Sequence, residues 1–198
     1  APIRIVWDTL VKTDEVLPFI FGAVCDTEDG LKVGRPLRMV TKNRKYATVV
    51  GEVLEFSPPH RYAHTMKFTQ YPDTPVTVIY DLKEVDGGTE FSLITENVPF
   101  GTKTEKSMGP GAKFIAENLK SIAETGKPLF SGRMAVMMAP VFSLMAPAST
   151  ACRFLTLRNC VTLLLLICRW SSRNLRITIR LPVHTTSSSM KNLALLMQ

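Results

Sequence analysis

The chain reads as an α+β domain in which one long helix covers a face of an antiparallel sheet. Three observations predict it. Five stretches between residues 36 and 98 alternate apolar and polar side chains, the spacers between them are short, and a long amphipathic stretch, GAKFIAENLKSIAETGKPL, follows them. At 198 residues the chain can bury one good core, with or without an appendage.

Taken in order, APIRIVWDTLV opens as a helix, with Pro2 suited to a first turn and Ile3, Val6, Trp7 and Leu10 on one face. TDEVLPFIFG follows as a second short helix, capped by Thr13 and ended by Gly22. RPLRMVTK is the first strand. YATVVGEVLEFS (46–57), RYAHTMKFT (61–69), TPVTVIYDLKEV (74–85) and TEFSLITENV (89–98) are the next four, with SPPH and VDGG as turns. Spacers this short exclude parallel crossovers and imply a meander. Counting by twos, Tyr62, His64, Met66 and Phe68 share one side of their strand. Val76, Val78, Tyr80 and Leu82 share a side of the next, and Phe91, Leu93 and Thr95 of the last. The stretch 111–129 is the lid of that face: Phe114, Ile115, Leu119 and Ile122 form its apolar stripe, and Gly126 and Pro128 end it.

The net charge of +7 suggests an anionic partner until it is located. Residues 1–130 carry 16 basic and 17 acidic side chains, a net of −1, whereas residues 131–198 carry 8 basic and no acidic ones. Basic and aromatic residues are not interleaved in the front part, which excludes a nucleic-acid footprint there. No signal-peptide pattern opens the chain, so a cytoplasmic location is expected; the first residue is Ala, which suggests a trimmed product. Cys25, Cys152, Cys160 and Cys168 contain no C-x-x-C pair and imply neither zinc nor a disulfide framework.

Taken together, VWDTL, LKVGRPLRM, GEVLEFSPPHRYAHTM, YDLKEVDGGTEFSLI and LKSIAETGKPL resemble the START-like, SRPBCC superfamily. Within it they are most similar to the branch named for the activator of the heat-shock protein 90 ATPase. The resemblance covers about residues 1–130 and implies a helix-grip fold, a bent sheet wrapped around the long C-terminal helix with a cavity between them. That family has a strand before its first helix. Here the chain starts at the helix, so a missing strand and an exposed sheet edge are expected.

Residues 131–198 do not share the resemblance and form a separate, atypical basic extension. A shifted reading frame, a floppy extension and a basic segment lying on a membrane all remain open for it. The apolar run Val161–Cys168, bracketed by Arg158 and Arg169, is too short to span a bilayer, which takes about 20 residues.

The resemblance implies a small hydrophobic or aromatic ligand in an apolar pocket lined by Met66, Phe68, Tyr80, Phe91, Phe114 and Leu119, with Tyr62 and His64 as polar handles. A chaperone is the alternative partner, and a cavity-based cyclase or hydrolase the third reading. No catalytic residue, metal or cofactor is assigned. His60 and His64 would stand about 13 Å apart along a strand, too far to share an ion. A core histidine is the plain alternative for His64. Cys25 sits in a loop without a histidine to activate it. MGPGAKF lacks the full phosphate-loop pattern, and its glycines are expected to free a loop over the cavity mouth.

Overall fold

A computed structural model describes residues 1–144 and 175–182. Helix α1 (Ile3–Leu10) buries the four residues of its apolar face, Ile3, Val6, Trp7 and Leu10. The expected second helix does not form. Val16–Leu17 pairs instead as a short strand, β1, followed by a single 3-10 turn at Pro18–Ile20. Leu17 and Phe19 are buried there, so pairing and burial override the cap and stop signals of Thr13 and Gly22.

The remaining strands are β2 (Ala23–Asp26), β3 (Pro36–Val40), β4 (Ala47–Ser57), β5 (Arg61–Phe68), β6 (Val76–Val85), β7 (Gly88–Glu96) and β8 (Leu175–Pro182). They form one antiparallel sheet in the order β1 to β8. Irregular register between Met39 and Val40 and between Val53 and Glu55 adds local bend and twist. Helix α2 (Lys103–Thr125) lies in the curve of this sheet, which makes the fold a helix-grip. The Thr102 hydroxyl accepts from the Glu105 amide at its start, and Gly126 takes the left-handed conformation at its end with φ 71°.

Two features of α2 differ from expectation. The helix begins at Lys103, so Gly109, Pro110 and Gly111 are helical and do not form a loop over a cavity mouth. Its buried line runs through Met108, Ala112, Ala116 and Leu119, while Ile115 and Ile122 are half-buried flanks. Two alanines at the centre of that line let the helix axis come close to the sheet. Helix α3 (Phe130–Leu144) follows, and its Gly132 comes so close to Asn118 of α2 that a Cβ there would collide with the amide.

The expectation of an uncovered sheet edge is also corrected. Strand β8, from within the acid-free extension, pairs with β7 over eight residues. Leu175, Ile177, Ile179 and Leu181 stand opposite Thr95, Leu93, Phe91 and Thr89. The other face matches too: Thr178 bonds Ser92 at 2.8 Å, and Arg180 pairs with Glu90 at 3.4 Å. Leu181 is fully buried. The Ala1 nitrogen donates to the Leu181 carbonyl at 2.8 Å and to that of Pro182, and Thr89 donates to the Ala1 carbonyl. Strand β8 therefore runs in space directly into α1, although 181 positions separate Pro182 from Ala1 in the sequence. Cys152, Cys160, Cys168 and the Val161–Cys168 run lie outside the described residues.

Candidate functional site

The predicted polar handles sit in the strand centre of the sheet. Tyr62 and His64 are two apart on β5 and point the same way; Tyr80 of β6 stands directly across from Tyr62. Tyr62 and Tyr80 stack with centroids 5.5 Å apart, His64 lies 5.2 Å from Tyr62 and 5.9 Å from Tyr80, and Phe91 continues the column 6.1 Å beyond Tyr80. Phe56 meets Tyr62 edge-on, and Trp7 of α1 packs on Phe56. An aromatic wall thus runs from α1 across β4, β5 and β6 to β7.

A void of about 10 Å³ lies against this wall, bounded by Leu10, Leu17, Ile20, Leu31, Met39, Cys25, Lys12, Tyr62, His64 and Tyr80. That is room for one water molecule. It sits near the end of α1 and under the 3-10 turn, and Leu119 and Phe114 are not among the residues that bound it. Leu119 is buried in the core, and Phe114 stacks at 4.2 Å on Phe21, the residue that ends the 3-10 turn. Met66 and Phe68 are half-buried against the core, further along β5. Of the eight predicted lining residues, the fold brings Tyr62, His64 and Tyr80 to the void, with Phe91 behind Tyr80.

Cys25 was expected in a loop without a histidine nearby. It is instead on β2, opposite Met39 of β3, buried, and on the same void as His64. Burial, and then Asp14 and Asp26, push its thiol up to about 12, so it stays protonated. Leu10, Lys12, Leu17, Ile20, Leu31 and Met39 were missed as lining residues because four separate segments supply them, and no local spacing connects those segments.

The electrostatics of the site are those of a neutral cup. The His64 Nδ1 lies 2.8 Å from the Thr65 carbonyl, which can only accept, so Nδ1 carries the ring proton. Burial lowers its pKa from 6.5 to about 4, although the Thr65 contact acts the other way. Burial likewise raises both tyrosines, Tyr62 with smaller contributions from Tyr80 and Cys25, and Tyr80 with one from Cys25. Two buried polar atoms here have no protein partner: the Tyr62 hydroxyl and the His64 Nε2. His60 sits in the turn after β4. Among the described residues, no three His, Cys, Asp or Glu side chains are grouped closely enough to hold a metal ion, and no helix is long and apolar enough to cross a membrane.

The family model described as Activator of Hsp90 ATPase homolog 1-like protein matches residues 1–124, more than half of the chain. The chain belongs to this family. The matched residues run from α1 into the last turn of α2 and so contain the whole aromatic wall, whereas β8 lies outside them. Among solved structures, the family member is similar to the crystal structure of CalU16 from Micromonospora echinospora, with 15% identity and a TM-score of 0.48, covering 71% of this chain and 80% of that one. It is also similar to the crystal structure of CV1439 from Chromobacterium violaceum, with 19% identity and a TM-score of 0.47, covering 63% of this chain and 90% of that one. No curated protein matches it.

Proposed function

We propose that this protein binds a small, mostly apolar ligand at the Tyr62–His64–Tyr80 cup and performs no chemistry on it. The observation that carries the reading is the pair of unpartnered polar atoms, Tyr62 Oη and His64 Nε2, buried against an aromatic wall. Such groups cost about 1–3 kcal/mol each when left without any partner, so a ligand that takes the place of the one water the void can hold must pair them in its stead. Cys25, Tyr62 and Tyr80 are all held protonated near neutral pH, which favours binding over catalysis by these groups.

A ligand body larger than a water enters when the mouth opens. Leu31 belongs to the loop between β2 and β3, where Glu28, Asp29 and residues 32–35 are exposed, and Ile20 to a single turn. These are the weakly packed parts of the wall, and they are the ones to move. Phe91 supports the cup through Tyr80; Met66, Phe68, Phe114 and Leu119 would meet a ligand only if α2 also lifted. Thermal-shift and native mass-spectrometry screens with small aromatic and lipid-like compounds test the reading. A ligand that raises the melting temperature, and does so less in Tyr62→Phe and His64→Leu, supports it. A response undiminished in both variants refutes it.

A second reading is a chaperone-associated interaction domain in the cytoplasm. It is favoured by the family's name and by an exposed apolar strip in which Phe21 is 50% exposed, Phe130 70% and Met137 62%. Affinity capture with purified Hsp90, with and without Phe130→Ser, tests it; no retention of the chaperone counts against it.

A further inference from the structure

The unpartnered atoms define which polar group the cup accepts. The deduction deepens the ligand-binding reading above and rests on it. We propose that the cup takes the hydroxyl group of a neutral ligand, such as an alcohol or phenol, which donates to the bare Nε2 of His64 and accepts from the Tyr62 hydroxyl.

The tautomer of His64 decides which of its ring nitrogens is bare. With the Thr65 carbonyl 2.8 Å from Nδ1, the proton is on that nitrogen, and Nε2 presents a lone pair alone. Only a donor satisfies it. Tyr62 can turn its proton toward an acceptor, and both residues line the same void, so one group there that is both donor and acceptor suits the pair. A hydroxyl is the smallest such group on a ligand, and the existing void of about 10 Å³ already has its size. An ether or ketone oxygen would satisfy Tyr62 and leave Nε2 unpaired. A carboxylate would point its charge at the Nε2 lone pair. The cation on the rim, Lys12, is half-exposed and held by Glu15 at 2.9 Å, so a carboxylate would be buried without compensation. The ring planes of Tyr62 and Tyr80, 13° from parallel, offer an aromatic face beside that hydroxyl.

Four probes of similar shape separate the terms: phenol, benzene, anisole and benzoate, each titrated into the whole chain and followed by ¹⁵N-histidine and amide NMR. Phenol is expected to bind at least tenfold more tightly than benzene or anisole, because only it pairs both buried atoms. Benzoate is expected not to bind. Phenol should also shift the His64 Nε2 resonance, while Nδ1 stays protonated throughout. Tyr62→Phe and His64→Leu should each narrow, and only together abolish, the advantage of phenol over benzene, because each removes one of its two partners; Tyr62→Phe removes one atom and keeps the ring, so the fold is not at issue. Equal affinities of phenol, benzene and anisole would overturn the hydroxyl assignment and leave the apolar pocket standing. Binding of none of the four at their solubility limits would overturn both.

Discussion

Strand β8 makes the sharpest test of the fold, through Leu181→Ala. Leu181 is fully buried in the main core, opposite Thr89, and its carbonyl receives the Ala1 nitrogen. Truncation to Ala removes three carbons from a dry site. At about 0.8 kcal/mol each, the transfer loss is about 2.4 kcal/mol, and a residual cavity brings the total to about 2–5 kcal/mol. The matched control is Arg180→Ala one residue away. Its side chain is 76% exposed and pairs with Glu90 at 3.4 Å, an arrangement worth less than about 1 kcal/mol. Urea unfolding followed by far-ultraviolet circular dichroism measures both, and hydrogen exchange at the β7 amides gives a second readout. Leu181→Ala should lower the unfolding midpoint strongly and speed exchange along β7, whereas Arg180→Ala should do neither. If the two variants were equally mild, β8 would not be part of the cooperative unit, and the assignment of residues 175–182 to the sheet would fail.

Other expectations concern the cup and α2. His64 is neutral in the folded chain down to about pH 4 but titrates near 6.5 when unfolded, so the unfolded state binds the extra proton between those values. Its contribution is fully present above pH 6.5 and is lost toward pH 4, by about 3 kcal/mol in all; in His64→Leu the stability-versus-pH curve should be flatter by that amount, and an unchanged slope refutes the burial argument. Tyr62→Phe removes an unpaired buried hydroxyl and should raise the unfolding free energy of the ligand-free protein by about 1 kcal/mol; a clear loss of stability would mean that the hydroxyl has a partner. Thr102→Ala deletes the acceptor of the Glu105 amide at the start of α2 and should cost about 1 kcal/mol in the same urea assay, with Thr102→Ser restoring most of it. Gly88→Ala would drive a Cβ into the Leu181 carbonyl and should reproduce the β7 exchange defect of Leu181→Ala without touching the core side chain; normal exchange there would show that β8 sits further away.

Much of the architecture was legible because it is written in local periodicity. The period of two in residues 46–98 placed β4 to β7 within two residues of their ends and put Tyr62, His64 and Tyr80 on one face. The four apolar residues of α1 and the left-handed Gly126 after α2 were equally visible. The stretch 13–22 misled because Thr13 and Gly22 are cap and stop residues of helices but equally residues of turns, and the strand pairing of Val16–Leu17 with Ala23–Val24 is not visible in them. The stripe on α2 was displaced because large residues dominate a hydrophobic pattern, whereas the line nearest the sheet is chosen by closeness and is held by Ala112 and Ala116.

What the sequence alone determined is α1, α2, the strands β3 to β7 with their antiparallel order, and the sides of β5, β6 and β7 that face inward, because pleat and helix pitch act between neighbours along the chain. What only the tertiary structure decided is which distant segments meet. The pairing of Leu175–Pro182 with β7, the approach of Cys25 to His64 and the closing of the void by Leu10, Ile20 and Leu31 all join residues far apart in sequence. Such pairings leave no spacing to read, since they are settled by the matching of whole surfaces: aliphatic side chains against the core on one face of β8, and Arg180 against Glu90 on the other.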